Sequence, residues 1–102
     1  MDVGSQLAAL ADPTRRSIYE LVRASPSSVR ELTDHLSISQ PAVSQHLKVL
    51  SAAGLVNAVP DGARRIYRVD PEGLAQLRAW IDVLWDDVLD SFTEAARKEH
   101  DQ

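Results

Sequence analysis

The segment Ser39-Gln40-Pro41-Ala42-Val43-Ser44-Gln45-His46-Leu47-Lys48-Val49-Leu50 reads as a short helix with two unlike faces. Ser39 stands where an N-cap belongs, its hydroxyl able to accept from an orphan first-turn N–H, and Pro41 falls in the first turn, where a missing N–H costs nothing. Val43, Leu47 and Leu50 recur at helical spacing, so they form one apolar stripe, with Val49 beside it, that must pack on other elements. The opposite face is small and polar. Gln40, Ser44, Gln45 and Lys48 carry donors and acceptors on a surface that lets a partner approach closely: Gln pairs bidentately with adenine, Ser serves either base type, and Lys reaches guanine or a phosphate. In isolation the same pattern describes a surface helix with a solvated face, and the flanking chain decides between the two readings.

Upstream, Ser5 to Leu10 give a short helical start with Leu7 and Leu10 on one side. Asp12-Pro13 then caps and opens a second helix ending near Arg23, with Ile18, Leu21 and Val22 as its apolar face. Ala24-Ser25-Pro26-Ser27 is turn chemistry, after which Val29, Leu32 and Leu36 mark a third helix of about nine residues, capped by Ser27 or Ser28, with Glu31 placed for a capping box. Only Ser37-Ile38 is left to join it to the segment beginning at Ser39, so the two helices are expected to cross steeply as a helix-turn-helix over residues 28–53.

Downstream, Gly54 is the natural left-handed residue after the helix. Leu55 to Val59 and Arg65 to Val69 alternate apolar and polar side chains around Pro60-Asp61-Gly62-Ala63, which predicts a two-stranded ribbon over residues 55–69. Arg64, Arg65 and Arg68 lie at or beside its tip, where guanidinium groups suit phosphates or a narrow minor groove. Basic hairpin tips also serve solubility and edge protection, but here the ribbon directly follows a helix-turn-helix. Asp70-Pro71-Glu72 opens a last helix over residues 71–98, about 42 Å at about 1.5 Å per residue. Leu74, Leu77, Ile81, Leu84 and Val88 keep helical spacing along it, and Trp80, Trp85, Leu89 and Phe92 widen the stripe beyond what one small core covers. Leu7, Leu10, Leu77, Trp80, Ile81, Leu84, Trp85 and Val88 are therefore the expected contacts of a homodimer with closed two-fold symmetry, which would set two reading helices about 34 Å apart, one turn of B-DNA. The alternative for Trp80 and Trp85 is folding back onto the chain's own helices. Asp82, Asp86, Asp87 and Asp90 fall towards the other, solvated face.

Composition narrows the class. With 102 residues a single domain is expected, mainly α with a small β-hairpin, about five helices and a two-stranded wing. The chain has no cysteine, which removes disulfides, thiolate metal sites and thiol switches. It shows neither an apolar run of membrane-spanning length nor a signal-peptide pattern, so no membrane partner and a cytoplasmic location are expected. The net charge of −4 hides a polarised molecule: residues 1–69 carry eight Lys or Arg against six Asp or Glu, and residues 70–102 carry three against nine.

Together, Leu10-Ala11-Asp12-Pro13-Thr14-Arg15-Arg16, the segment from Ser39 to Leu50, Gly54-Leu55-Val56 and Arg64-Arg65-Ile66-Tyr67 resemble the ArsR/SmtB family of winged-helix repressors over almost the whole chain. The resemblance implies a homodimer that represses by occupying double-stranded promoter DNA and leaves when an effector binds. It makes Gln40, Ser44, Gln45 and Lys48 the major-groove readers and Arg64 to Arg68 the wing. Ser39, Pro41 and His46 complete the expected DNA-contacting set. Founding members sense metals through cysteines before the recognition helix or through a carboxylate and histidine set on the last helix. The matching positions here include Ser28 and Arg30, and arginine is not a metal ligand. On the last helix the only histidine is His100, between Glu99 and Asp101, which point to different sides. His35 and His46 fall on different helices with no third ligand at suitable spacing, and a structural or phosphate-contacting role suits His46 better than ligation. No metal and no cofactor are expected, and the residues single out no small-molecule effector.

Catalysis has little to stand on: no nucleophile elbow, phosphate-binding glycine loop or spaced metal triad occurs. The rival to a DNA-binding regulator is a winged-helix protein-interaction module, since the net charge is acidic, but the basic residues gather on the recognition helix and wing. For regulation, zinc, cadmium or arsenite at stoichiometric concentration should neither bind tightly in calorimetry nor release DNA. A stoichiometric, tight metal isotherm coupled to a fall in DNA affinity would reveal a site that these residue types do not predict.

Overall fold

The computed structural model describes residues 2–100, with side chains through residue 98. Among the described residues, helices α1 (Val3–Ala11), α2 (Pro13–Ala24), α3 (Val29–Asp34) and α4 (Gln40–Ala52) precede the hairpin β1 (Val56–Asp61) and β2 (Arg64–Val69), and α5 (Pro71–His100) follows. The helix starts are set by side chains that satisfy first-turn N–H groups. Asp2 accepts from Ser5 N–H at 2.7 Å, Asp12 from Arg15 N–H at 2.8 Å, and Ser39 from Ala42 N–H at 3.3 Å. Ser28 and Glu31 form a reciprocal capping box at 3.2 and 3.1 Å. Asp2 carries α1 back to Val3, earlier than the expected start at Ser5.

The core is built from Ala9, Ile18, Tyr19, Val22, Leu32, Val43, Leu47, Leu50, Leu55 and Val56. Val43, Leu47 and Leu50 are fully buried. Burying such a side chain stabilises by about 1.5–3 kcal/mol, against typically about 1 kcal/mol for a cap. The stripe therefore holds α4 in place, and Ser39 only determines where it begins.

Two elements differ from the sequence expectation. The third helix spans six residues rather than about nine. His35 N–H bonds Leu32 O and Leu36 N–H bonds Thr33 O, both at 3.1 Å, so the helix tightens into a turn. Val29, Leu32 and Leu36 still fall on one side through that turn, which is why apolar spacing does not locate the end. Residues 35–39, not Ser37-Ile38 alone, make the connection. The hairpin, conversely, is longer than expected. Asp61 pairs with Arg64 and Pro60 with Arg65, leaving a two-residue turn at Gly62-Ala63. Gly62 takes φ 63°, the positive value required at the first central position of a type II′ turn. Pro60 is tolerated because β1 is an edge strand. Ser27 adds a short third leg, its N–H and C=O bonding Tyr67 at 3.0 and 2.8 Å.

One joint ties α4 to the last helix. After α4, Gly54 at φ 75° lets Leu55 N–H reach Leu50 O and its own N–H reach Ser51 O, both at 3.0 Å, closing the helix as a Schellman motif. Asp70 N–H then bonds Leu55 O at 2.9 Å. The fully buried Gln6 of α1 donates from Nε2 to Gly73 O at 2.9 Å. Gly73 lies so close to Gly54 that a β-carbon there would run into the Gly54 carbonyl.

From this joint α5 leaves the body, which is why the molecule measures 69 × 26 × 21 Å. Leu77 is buried within the chain, but Trp80, Trp85 and Phe92 are 42%, 59% and 73% exposed. The tryptophans do not fold back onto the chain's own helices. Gly73→Ala should lower stability by about 1–3 kcal/mol, the usual range for forcing extra volume into a packed site. Gly4→Ala, facing only the Asp2 side chain at 3.2 Å, should be neutral or stabilise by up to about 1 kcal/mol. Thermal melts at equal chain concentration check the pair, and equal melting temperatures would show that the joint yields.

Candidate nucleic-acid interface

With one face of α4 sealed in the core, its other face is presented to solvent. Ser39, Gln40, Pro41, Ser44, Gln45 and Lys48 are all exposed. The side chains of Gln40, Ser44, Gln45 and Lys48 make no hydrogen bond within the described residues, so their donors and acceptors are free for a ligand. His46 is half-buried at the border of this face, near the Asp12 cap of α2. The Asp12 carboxyl is held below the usual carboxylate range, chiefly by Arg15 N–H, with Arg15 and His46 adding to the effect.

The three wing arginines are exposed but differently engaged. Arg64 sits between two carboxylates, Nη1 3.4 Å from Glu31 Oε1 and Nη2 3.4 Å from Asp61 Oδ2. Arg68 donates from Nε to Asn57 Oδ1 at 2.9 Å across the hairpin. Arg65 has no hydrogen bond or ion pair within the described residues. Glu31 serves two elements at once: its Oε1 accepts from Ser28 N–H and faces Arg64. Its carboxyl is held below the usual range, mainly by the bonds with Ser28 and to a smaller degree by Arg64.

Between α3, the start of α4 and β2 lies a half-open cleft of about 630 Å³, lined by Arg30, Glu31, Gln40, Arg64, Arg65 and Tyr67 among others. Sequence spacing alone does not mark Arg30 and Glu31 as members of this surface. They lie against the wing where Ser27 pairs with Tyr67 and Glu31 meets Arg64, contacts between distant segments that leave no local signal.

The expected dimer contacts separate into two groups. Leu7, Trp80, Ile81, Leu84, Trp85 and Val88 are exposed, in company with Leu89 and Phe92. Leu77 is only 7% exposed, because the first turns of α5 lie on α1, and Leu10 is half-buried against the core. Leu77 has little surface left for a second copy, whereas Leu10 keeps part of its surface exposed. Among the described residues no helix is long and apolar enough to cross a membrane. No group of three or more His, Asp or Glu comes together in them to hold a metal. Ser28 is a buried N-cap, and His35 Nδ1 lies 2.9 Å from the Glu31 carbonyl oxygen. The set of Glu99, His100 and Asp101 lies outside the residues whose side chains are described.

Comparison with known proteins agrees with this geometry. The family described as "Bacterial regulatory protein, arsR family" matches residues 12–58. The chain is 48% identical to the HTH-type transcriptional regulator Rv2034 of Mycobacterium tuberculosis, over 91% of this chain and 87% of that one. It is 45% identical to the HTH-type transcriptional repressor SmtB of the same species over 72% of its length, while spanning only 55% of that longer protein. Among solved structures, the homodimeric winged helix-turn-helix DNA-binding domain of a possible ArsR-family transcriptional regulator from Mycobacterium bovis superposes with TM-score 0.67. That match has 29% identity and covers 83% of this chain and 79% of that one. The fold thus has its counterpart in known regulators, and the chain belongs to the ArsR family of winged helix-turn-helix transcriptional regulators.

Proposed function

We propose that the protein acts in the cytoplasm as a homodimer that binds double-stranded promoter DNA and represses transcription, with α4 in the major groove and the hairpin on the flanking backbone. The observation that carries this reading is the split of α4: Val43, Leu47 and Leu50 are fully buried while Gln40, Ser44, Gln45 and Lys48 stand exposed and uncommitted. Base-edge readout needs donors and acceptors that are free, and the helix-turn-helix and hairpin around α4 favour this use over a merely solvated face. The hairpin adds cations beside that face, and phosphate contacts position a protein without carrying sequence information. The apolar stripe on α5 from Trp80 to Phe92 supports pairing with a second copy, as does the homodimeric M. bovis domain. Asp82, Asp86, Asp87 and Asp90 put negative charge on the helix away from the body, which keeps DNA to the α4 side.

Base contacts and backbone contacts separate in titration. Gln45→Ala should lose about 1–3 kcal/mol for the preferred site and much less for random duplex, because a base-edge bond exists only on the right sequence. Arg65→Ala should weaken both duplexes alike and lower the salt slope by about one unit for each phosphate left unneutralised in either half of the dimer. Binding of both variants to preferred and random duplexes across a salt series decides the matter. Unchanged binding in both would favour a protein-interaction module instead.

A further inference from the structure

The cleft between α3 and the wing brings three guanidinium groups, Arg30, Arg64 and Arg65, to the N-terminal end of the reading helix, where Gln40 closes its wall. We propose that this cleft seats a backbone phosphate of bound DNA, and that Glu31 is a built-in counter-charge that occupies Arg64 until the phosphate arrives. The inference rests on the reading of α4 and the hairpin as DNA-binding elements and extends it to α3.

Position comes first. In a helix-turn-helix the N-terminal residues of the second helix meet base edges while the first helix crosses the backbone. Gln40 is such an N-terminal residue, and Arg30 is exposed on the first helix beside it. A phosphate flanking the base that Gln40 faces therefore falls at the mouth of the cleft. The walls are set independently of any ion pair, because the backbone bonds of Ser27 with Tyr67, at 3.0 and 2.8 Å, fix β2 against the α2–α3 connection. The Arg64–Glu31 pair, at 3.4 Å with both side chains at least half exposed, is weak and is not needed to hold the wing. Arg64 is thus free to exchange partners.

Charge comes second. Arg64 is compensated by Glu31 and Asp61, while Arg30 and Arg65 have no ion pair within the described residues. Asp34 also lines the cleft. With Glu31 and Asp34 in its wall, the cleft offers a free phosphate ion little net attraction, whereas DNA delivers a phosphate already held by neighbouring contacts along its strand. When that phosphate takes Arg64, Glu31 remains ionised beside it. Glu31 therefore lowers affinity for every duplex equally.

Two substitutions test this against Gln45→Ala as reference. Arg30→Ala should weaken preferred and random duplexes several-fold alike and lower the salt slope by about one unit per seat. Glu31→Gln keeps a side-chain oxygen to accept from Ser28 N–H, as glutamine does in capping boxes, and removes only the charge. It should tighten binding to both duplexes several-fold and steepen the salt slope, with a melting temperature slightly lowered by loss of the first-turn charge, and Arg64→Ala in the same chain should erase the gain. Inorganic phosphate, with ionic strength held constant by chloride, should not compete. If Arg30→Ala leaves the slope unchanged, or Glu31→Gln fails to tighten binding, while Gln45→Ala still loses site preference, the seat is refuted and the reading of α4 stands. If Gln45→Ala is silent as well, the DNA-binding reading itself fails. Saturable competition by inorganic phosphate that Arg30→Ala abolishes would assign the cleft to a free anion and overturn the proposal.

Discussion

The contact between Gly54 and Gly73 is the constraint on which the arrangement depends. Gly54 ends the reading helix and Gly73 lies in the first turn of α5, and their backbones approach too closely for a β-carbon at Gly73. Gln6 bonds the Gly73 carbonyl from α1, and Asp70 N–H bonds Leu55 O, so three elements are fixed at one point. Any movement of α5 against the body must pass through this joint. A helix carrying an exposed apolar stripe and a helix carrying an uncommitted polar face are thereby joined at one point. This relation is what a two-fold DNA reader requires, because half-site spacing is set by the geometry between the pairing surface and the reading helices.

The same economy appears in how charges are placed. Five of the eleven cations, Arg30, Lys48, Arg64, Arg65 and Arg68, lie on α3, α4 and the wing, while four aspartates occupy the part of α5 that leaves the body. The acidic net charge is therefore compatible with a DNA-binding face, since a ligand responds to the local field rather than to the sum. Within the basic face, commitment varies residue by residue. Arg64 is held between Glu31 and Asp61, Arg68 by Asn57, and Arg65 has no such partner among the described residues. A count of arginines in a hairpin overstates the charge available to a phosphate.

Local chemistry makes most of this legible from sequence. Ser39 caps where its position predicts, the stripe of Val43, Leu47 and Leu50 is wholly buried, the Asp61-Gly62 signal does sit at a hairpin turn, and α5 outruns the body. What escapes depends on contacts between segments far apart in the chain, or on a local tightening that spacing does not register. The end of α3 is misplaced by periodicity because a tightened turn keeps Leu36 on the apolar side. Leu77 carries the same spacing as Leu84, yet Leu77 is buried and Leu84 is half exposed. Arg30 and Glu31 lie beside the wing where Ser27 pairs with Tyr67 and Glu31 meets Arg64. Periodicity reports which residues share a face, but not which neighbour that face meets.

The proposed coupling of α4 as reading helix to α5 as pairing helix is tested most directly by the phase of the half-sites. Duplexes bearing two copies of the preferred half-site, first selected from random sequence, would be titrated at centre spacings varied one base pair at a time. Binding should peak at about 10–10.5 base pairs and recur at multiples of that turn, with two chains per duplex, because only then do both reading helices face the major groove. Equal affinity at every spacing, or a complex containing a single chain, would contradict it.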